Sequence, residues 1–315
     1  MKISGFTFMR NTSSLYYPFV ESIQSILPLV DEFVIAMGDN RPDDRTLEEL
    51  KRIPSEKIRI IPTIWDLEKY PGGTVYAQQT DLAKQACTGD WLFYLQSDEV
   101  VHEKYLDEIR SACQGELDHP EVEGLLFRYK HFWGDYKHYV SSHVWYPKEI
   151  RIIRNHPDIH SWRDAQSFKR IPDFDGKNYR QKAGAFKLQV KMLEACIYHY
   201  GWVRPPRMMQ SKNRQMDSYY HKQEKVDQMY QRRDTQFDYG NLNAMEHFDE
   251  SHPAVMQSFI SRFDWQDDLH YDADYRPQRE PLKHERLKYR AISWVEKNLL
   301  NGNQLFGYRN WKILK

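Results

Sequence analysis

The sequence predicts an α/β protein organised on a parallel sheet, followed by a mostly helical region. Two patterns carry this. Over the first 130 residues, short β-branched and aromatic runs alternate with amphipathic helical stretches, the signature of βαβ units. From Pro206 the composition turns polar and helical, and the runs become rare.

Taken in order, ISGFTFM reads as a first strand, and LYYPFVESIQSILPLV as an amphipathic helix after an Asn-Thr-Ser-Ser start. EFVIAMG is a second strand, stopped by the loop DNRPDD, and TLEELKR is a short helix. KIRIIPTIW is the next strand, residues 75 to 87 are helical, WLFYL is a strand and HEKYLDEIRSA a helix. Beyond residue 123, GLLFRYKHFWGDYKHYVSSHVWYP is hairpin-like and IRIIR is a short strand. Residues 155 to 187 are loop-rich, LQVKMLEACIYHYGW returns to strand, and Pro206 to Arg233 is helical. AVMQSFISRF and residues 280 to 300 are further helices. No internal repeat or low-complexity tract interrupts this order.

Lys plus Arg and Asp plus Glu balance at 45 each, so the chain lacks the basic excess of a nucleic-acid binder. No apolar run approaches the ~20 residues of a membrane span. The N-terminal MKISGFTFMRN lacks the apolar core of a signal peptide. Cys87, Cys113 and Cys196 are odd in number and widely spaced, which fits reduced thiols better than a disulfide framework or a zinc site. A cytoplasmic protein is expected.

In open α/β sheets, ligands gather at the carboxyl ends of the strands. That rule groups Arg10, Asn11, Asp39, Asp66 and the stretch Gln96 to Glu99. Within WLFYLQSDEVV, five buried-type residues are followed almost at once by two adjacent acids, Asp98 and Glu99. Carboxylates at the end of a buried strand are costly unless their charge is compensated. A Mg2+ or Mn2+ ion would do so, and would also hold a diphosphate leaving group. Capping of the helix that follows is the alternative use of the same acids.

The segment DLAKQACTGDWLFYLQSDEVV resembles the Asn-x-Ala-x-x-x-Ala-x-Gly-[Asp/Glu]-[Trp/Tyr]-apolar-Asp-Ala-Asp-Glu stretch of family 2 glycosyltransferases, which have the GT-A fold. The loop GDNRPDDRT is similar to that family's Asp-x-x-Ser-x-Asp-x-Thr loop. The resemblance covers about residues 1 to 110 and implies a GT-A nucleotide-diphospho-sugar transferase sheet with a helical C-terminal extension. It implies a catalytic domain over 1–205, with a donor half to about 110 and an acceptor half beyond, and an extension over 206–315.

The implied function is inverting, metal-assisted, hexosyl-type transfer from a nucleotide-diphosphate sugar to a saccharide or lipid-linked acceptor, as in polysaccharide biosynthesis. The alternative is a non-catalytic relative that binds nucleotide or glycan. A nucleotidyltransferase would need a Gly-rich loop after the first strand, and FTFMRNTSSLYY has no glycine.

The family's Asp-x-Asp motif falls on Gln96-Ser97-Asp98, which makes Asp98 the metal-side acid with Glu99 beside it. Gln96 stands where the first acid is expected, and its amide would reach a ribose hydroxyl without adding charge. Asp81 stands where the family has Asn. Asp39 matches the loop acid that recognises the nucleotide base, and Asp44 the later acid of that loop. The family's late metal-binding His corresponds to His199. The acceptor's general base corresponds to Asp164 in IHSWRDAQSF, with Asp158 as alternative. Arg10, Arg204 and Lys212 are candidates for the diphosphate, the last two in a segment suited to a mobile lid.

The aromatics Phe132, Trp133, Tyr136, Tyr139, Trp145 and Tyr146 would suit stacking on sugar rings, or would form hairpin core. Literal Asp-x-Asp triplets at 173–175 and 272–274 lie in Pro-rich loops where solvated acids are ordinary. KHERLKYRAISWVEK is basic and amphipathic; it would dock on its own domain or lie on an anionic membrane surface. Oligomeric state is not encoded in any motif.

Overall fold

In a computed structural model that describes residues 1–300, 302–307 and 309–314, the chain forms a mixed α/β fold with a helical C-terminal region. The donor half supplies β1 (Ile3–Met9), α1 (Phe19–Ile26), β2 (Glu32–Met37), α2 (Thr46–Lys51), β3 (Ile58–Pro62), α3 (Thr74–Gln85), β4 (Trp91–Tyr94), β5 (Glu99–Val101) and α4 (Leu106–Gly115). The next stretch adds β6 (Gly124–Trp133), β7 (His138–Val140), β8 (Lys148–Arg154), β9 (Ile159–Trp162), β10 (Ser167–Arg170) and β11 (Leu188–Trp202). The C-terminal region holds α5 (Pro206–Tyr220), α6 (Gln223–Tyr230), β12 (Glu246–His247), α7 (Gln257–Ile260), α8 (Leu287–Leu299) and β13 (Trp311–Ile313).

The main sheet runs β12-β7-β6-β8-β4-β1-β2-β3, with β11 pairing β6, β5 and β13. The β4–β1–β2–β3 block is parallel throughout, as the alternation predicts. Strand β8 then enters antiparallel between β4 and β6. The chain direction therefore switches beside β4, and the carboxyl end of β4 opens at that boundary.

Side-chain period decides which residues face which layer. On β2, Phe33, Ile35 and Met37 enter one core with α1, while Val34 and Ala36 enter the other with α3. On β4, Trp91, Phe93 and Leu95 split from Leu92 and Tyr94 in the same way. A third, aromatic core lies under the C-terminal region and takes up Phe132, Trp133 and Tyr136. Those three residues are hairpin core and not a sugar platform.

Two local expectations change. The first helix begins at Phe19 instead of Leu15, because Pro18 drives the residue before it out of the helical region. The loop-rich stretch 155–187 contains the β9–β10 hairpin, whose Trp162 and Phe168 are buried. The three cysteines are free and buried, and burial pushes each thiol up to about 12. Among the described residues no helix is long and apolar enough to cross a membrane.

Candidate active site

A cleft of about 320 Å³ opens where the ends of β1, β4 and β11 meet α5 and the β9–β10 turn. It brings together six of the nine residues expected from sequence: Arg10, Gln96, Asp98, Asp164, His199 and Lys212. Asp39, Asp44 and Glu99 lie outside its lining.

The two adjacent acids part company. Glu99 is fully buried and points into the sheet. Its carboxylate accepts from Arg151 Nε at 2.8 Å and Nη2 at 2.7 Å, from Tyr129 Oη at 2.9 Å and from the Gln96 backbone N–H at 3.1 Å. With its lone pairs committed to this knot, Glu99 does not face the cleft and has no lone pair left for the cation expected of it. Arg151 also donates through Nη1 to the carbonyl of Gln166 at 3.0 Å, which ties the 95–99 turn to the hairpin that carries Asp164.

Asp98 faces the other way, into the cleft, with its side chain 10% exposed. Its Oδ2 lies 3.6 Å from His199 Nε2 and 3.9 Å from Lys212 Nζ. Burial alone would raise its pKa, but His199, Lys212 and Arg204 hold it well below the usual carboxylate range. Asp98 is therefore ionised at neutral pH.

The state of His199 follows from its neighbour. His131 Nε2 lies 2.8 Å from the carbonyl of Tyr146, which can only accept, so that nitrogen carries the proton. Burial, together with the nearby His199, lowers the His131 pKa well below the ordinary value and keeps the ring neutral. Its Nδ1 is then an acceptor, and it takes a proton from His199 Nδ1 at 2.9 Å. His199 Nδ1 is thus a proton-bearing nitrogen, and Nε2 faces the Asp98 carboxylate at 3.6 Å, as an N–H donor or, once that proton is displaced, as a ligand.

A divalent cation taking the place of the Nε2 proton would lie against both atoms. Gly201 keeps that gap open: a Cβ there would lie 2.6 Å from His199 Nε2 and 2.7 Å from Asp98 Oδ2. One nitrogen and one carboxylate suit a divalent ion that completes its shell with water and phosphate oxygens. Among the described residues no cluster of three or more ligating side chains exists, so a cation held here would have only this pair as protein ligands.

Lys212, on α5, donates to the carbonyl of Gly201 at 2.6 Å. Burial and then Arg204 push its pKa down to about 7, against the opposing pull of Asp98. Arg204 is fully buried and donates to the carbonyls of Leu15 and Gly201, so it supports the cleft from behind.

Asp164 sits at the tip of the β9–β10 turn, not before a helix. Its neighbours Arg163 and Ala165 have φ of 60° and 61°, a left-handed conformation that costs a non-glycine residue about 1–2 kcal/mol. Such strain persists where the surroundings over-determine it. Gln96 Nε2 helps by donating to the carbonyl of Ala165 at 3.2 Å, and Tyr220 Oη donates to Asp164 Oδ2 at 3.3 Å. Gln96 thus braces the turn that carries the acid.

Asp39 accepts from Arg10 Nη2 at 2.8 Å and from the Trp65 N–H at 3.0 Å, and Arg10 lies over the Trp65 ring. Asp44 accepts from Ser13 Oγ, the Ser14 N–H and the Thr46 N–H, which knots the loop after β1. Asp175 caps the Lys177 and Asn178 amides in an exposed loop, as expected of the literal triplets.

Sequence reasoning named Trp145 and Tyr146 but missed the rest of an aromatic wall. Phe8, Trp65, Tyr76 and Tyr219 pack on one another along the cleft, and Tyr17, Trp145, Tyr146 and Trp202 complete it. The α5 part was legible: Lys212, Gln215, Met216 and Tyr219 recur at i, i+3, i+4 and i+7, one face of a helix.

No protein-family model matches the sequence, and no curated protein matches it. Among solved structures the chain is similar to S. aureus TarS, with 13% identity over 73% of this chain and 42% of that one, at a TM-score of 0.39. It is similar to S. aureus TarS 1-349 in complex with UDP-GlcNAc, with 17% identity over 73% and 70% of the two chains, at a TM-score of 0.39. A third likeness is to glucosyl-3-phosphoglycerate synthase from Mycobacterium tuberculosis in complex with Mn2+, UDP and glucosyl-3-phosphoglycerate. There the identity is 19% over 42% and 45% of the chains, at a TM-score of 0.28. The chain thus spans less than half the length of the first and third of these proteins.

Proposed function

We propose that the chain is a GT-A-type glycosyltransferase, moving a hexosyl unit from a nucleotide-diphosphate sugar to a saccharide acceptor with inversion. The observation that carries this reading is the gap between Asp98 Oδ2 and His199 Nε2, kept open by Gly201. It is supported by the order of motifs across residues 1 to 110.

Asp98 and His199 would hold a Mg2+ or Mn2+ ion, which when bound neutralises the diphosphate as it departs. Lys212 lies close enough to the same carboxylate to place its ammonium beside the leaving group. Asp164 takes the proton of the acceptor hydroxyl as its oxygen attacks the anomeric carbon from the face opposite the diphosphate. The bond from that carbon to the diphosphate oxygen breaks, and its electron pair leaves with the nucleotide. Trp145, Tyr146 and Trp202 shield the reacting centre from water and offer faces to a sugar ring.

A second reading has one observation in its favour. Lys212 Nζ, 3.9 Å from Asp98, supplies positive charge without a metal. The test is a thermal-shift panel of nucleoside diphosphates with and without Mn2+. Stabilisation that needs the metal and disappears in Asp98→Ala supports the metal-assisted reading. Metal-independent stabilisation that disappears in Lys212→Ala supports the second. If no diphosphate shifts the melting temperature, the donor site is wrong. Asp164→Asn should retain that shift while losing transfer; unchanged turnover removes Asp164 from the mechanism.

A further inference from the structure

Helix α8 is docked inside out. Its inward stripe is Tyr289, Ser293 and Glu296, at i, i+4 and i+7. Ser293 Oγ accepts from the His143 N–H at 2.9 Å, and Glu296 Oε1 lies 2.6 Å from His143 Nδ1 and accepts from the Leu305 N–H. Tyr289 stacks parallel to the His143 ring. The helix therefore holds the 142–145 segment through polar contacts, Ile292 and Val295 are half-buried, and its largest apolar residues lie on the other side.

The outward stripe is Leu287, Ala291, Trp294 and Asn298, with Leu299 on its shoulder. Leu287 is 80% exposed, Trp294 61% and Leu299 66%. Phe306, just after the residue whose amide Glu296 holds, is fully exposed. Arg286, Lys288 and Arg290 flank the stripe and are exposed, while Lys297, also exposed, is paired with Glu246. The one acid in this stretch, Glu296, is turned inward and buried. A neutral chain has thus gathered a local row of cations around exposed tryptophan and leucine.

We propose that this face of α8 docks peripherally on an anionic phospholipid bilayer. Leucine and tryptophan enter the headgroup boundary, and the flanking cations meet lipid phosphates. A second copy of the chain is a poorer occupant. A two-fold interface is self-complementary, so it would set the basic row against itself with no acid between. The docked segment continues into Trp145 and Tyr146 of the cleft, so a bilayer-bound molecule would present that mouth to an amphiphilic, lipid-linked acceptor. That last consequence rests on the transferase reading; the docking does not.

The test is vesicle flotation of the full chain, using phosphatidylcholine alone or with about one-third phosphatidylglycerol. The wild type should float with the anionic vesicles, less so at high salt, and stay behind with phosphatidylcholine alone. Leu287→Ser/Trp294→Ser and Lys288→Glu/Arg290→Glu should each cut the bound fraction about tenfold or more, with unchanged circular dichroism and melting temperature, since all four side chains are exposed. Absence of flotation, or flotation indifferent to both variants, overturns the proposal. A concentration-dependent dimer lost in Trp294→Ser without vesicle binding gives the face to a second copy and overturns it too. The diphosphate thermal shift on the same preparations survives if only the docking fails, and vanishes if the donor-site reading fails.

Discussion

Asp98 and Glu99 are neighbours in sequence and opposites in chemistry. Glu99 sits in a knot in which Arg151, Tyr129 and a backbone N–H satisfy both oxygens. Asp98 sits in a cleft where its nearest polar neighbours, His199 and Lys212, stand at 3.6 and 3.9 Å, too far for a good hydrogen bond. The contrast separates architecture from chemistry: the satisfied acid holds the turn, and the under-satisfied one is the acid to which we assign a ligand. A strand exit supplies both, because successive side chains leave it on opposite faces.

The largest effect that breaks this contrast should come from the knot. Arg151→Met leaves Glu99 buried without its ion-pair partner and should cost about 3–5 kcal/mol of stability in urea melts. The Glu99→Gln/Arg151→Met double variant should recover part of that loss; no recovery would mean the pair is not the source. Next, Asp98→Ala should lower transfer about 10²–10³-fold while changing the melting temperature of the unliganded protein little or upward. A large loss of stability would place Asp98 with Glu99 as architecture.

Gly201→Ala sharpens the same point without touching a charge. The added methyl enters the gap and should weaken Mn2+-dependent donor stabilisation about tenfold or more. Metal titration by calorimetry reads this directly, and equal affinity would move the cation elsewhere.

The effect with the least bearing on the site lies far from the cleft. His252 accepts from Tyr200 Oη through Nδ1 and donates to the Tyr136 carbonyl through Nε2, and burial lowers its pKa to about 4. The unfolded chain binds this proton from about pH 6.5 downward, whereas the folded protein resists it until about pH 4. Stability should therefore fall as pH drops through that window, by up to about 3 kcal/mol. His252→Gln should flatten the slope, and equal slopes would clear His252 of the effect.

Much of the donor half was legible in the sequence, because the strands of the parallel block are short runs rich in β-branched and aromatic residues between turn signals. The β9–β10 hairpin was not. Its strands are only four residues each, and they are held by packing of Ile159 and Phe168 on the main sheet. At the site, sequence order brought Asp98, His199 and Lys212 to notice but gave no direction for Glu99. One signal was available: Arg151 stands mid-run in EIRIIR, and a cation in a buried strand requires an acid partner. The aromatic wall was opaque because it assembles from β1, the end of β3, α3 and α5, elements far apart in the chain.

The hydrogen bond from His131 to the carbonyl of Tyr146 joins two compartments of the cleft. It fixes which nitrogen of His199 is available, and it is anchored on backbone whose side chain lines the acceptor side. With a cation bound as proposed, movement of that backbone and affinity at the Asp98–His199 gap would be one linked equilibrium. By reciprocity, whatever factor a bound cation lends to acceptor affinity, the acceptor returns to the cation.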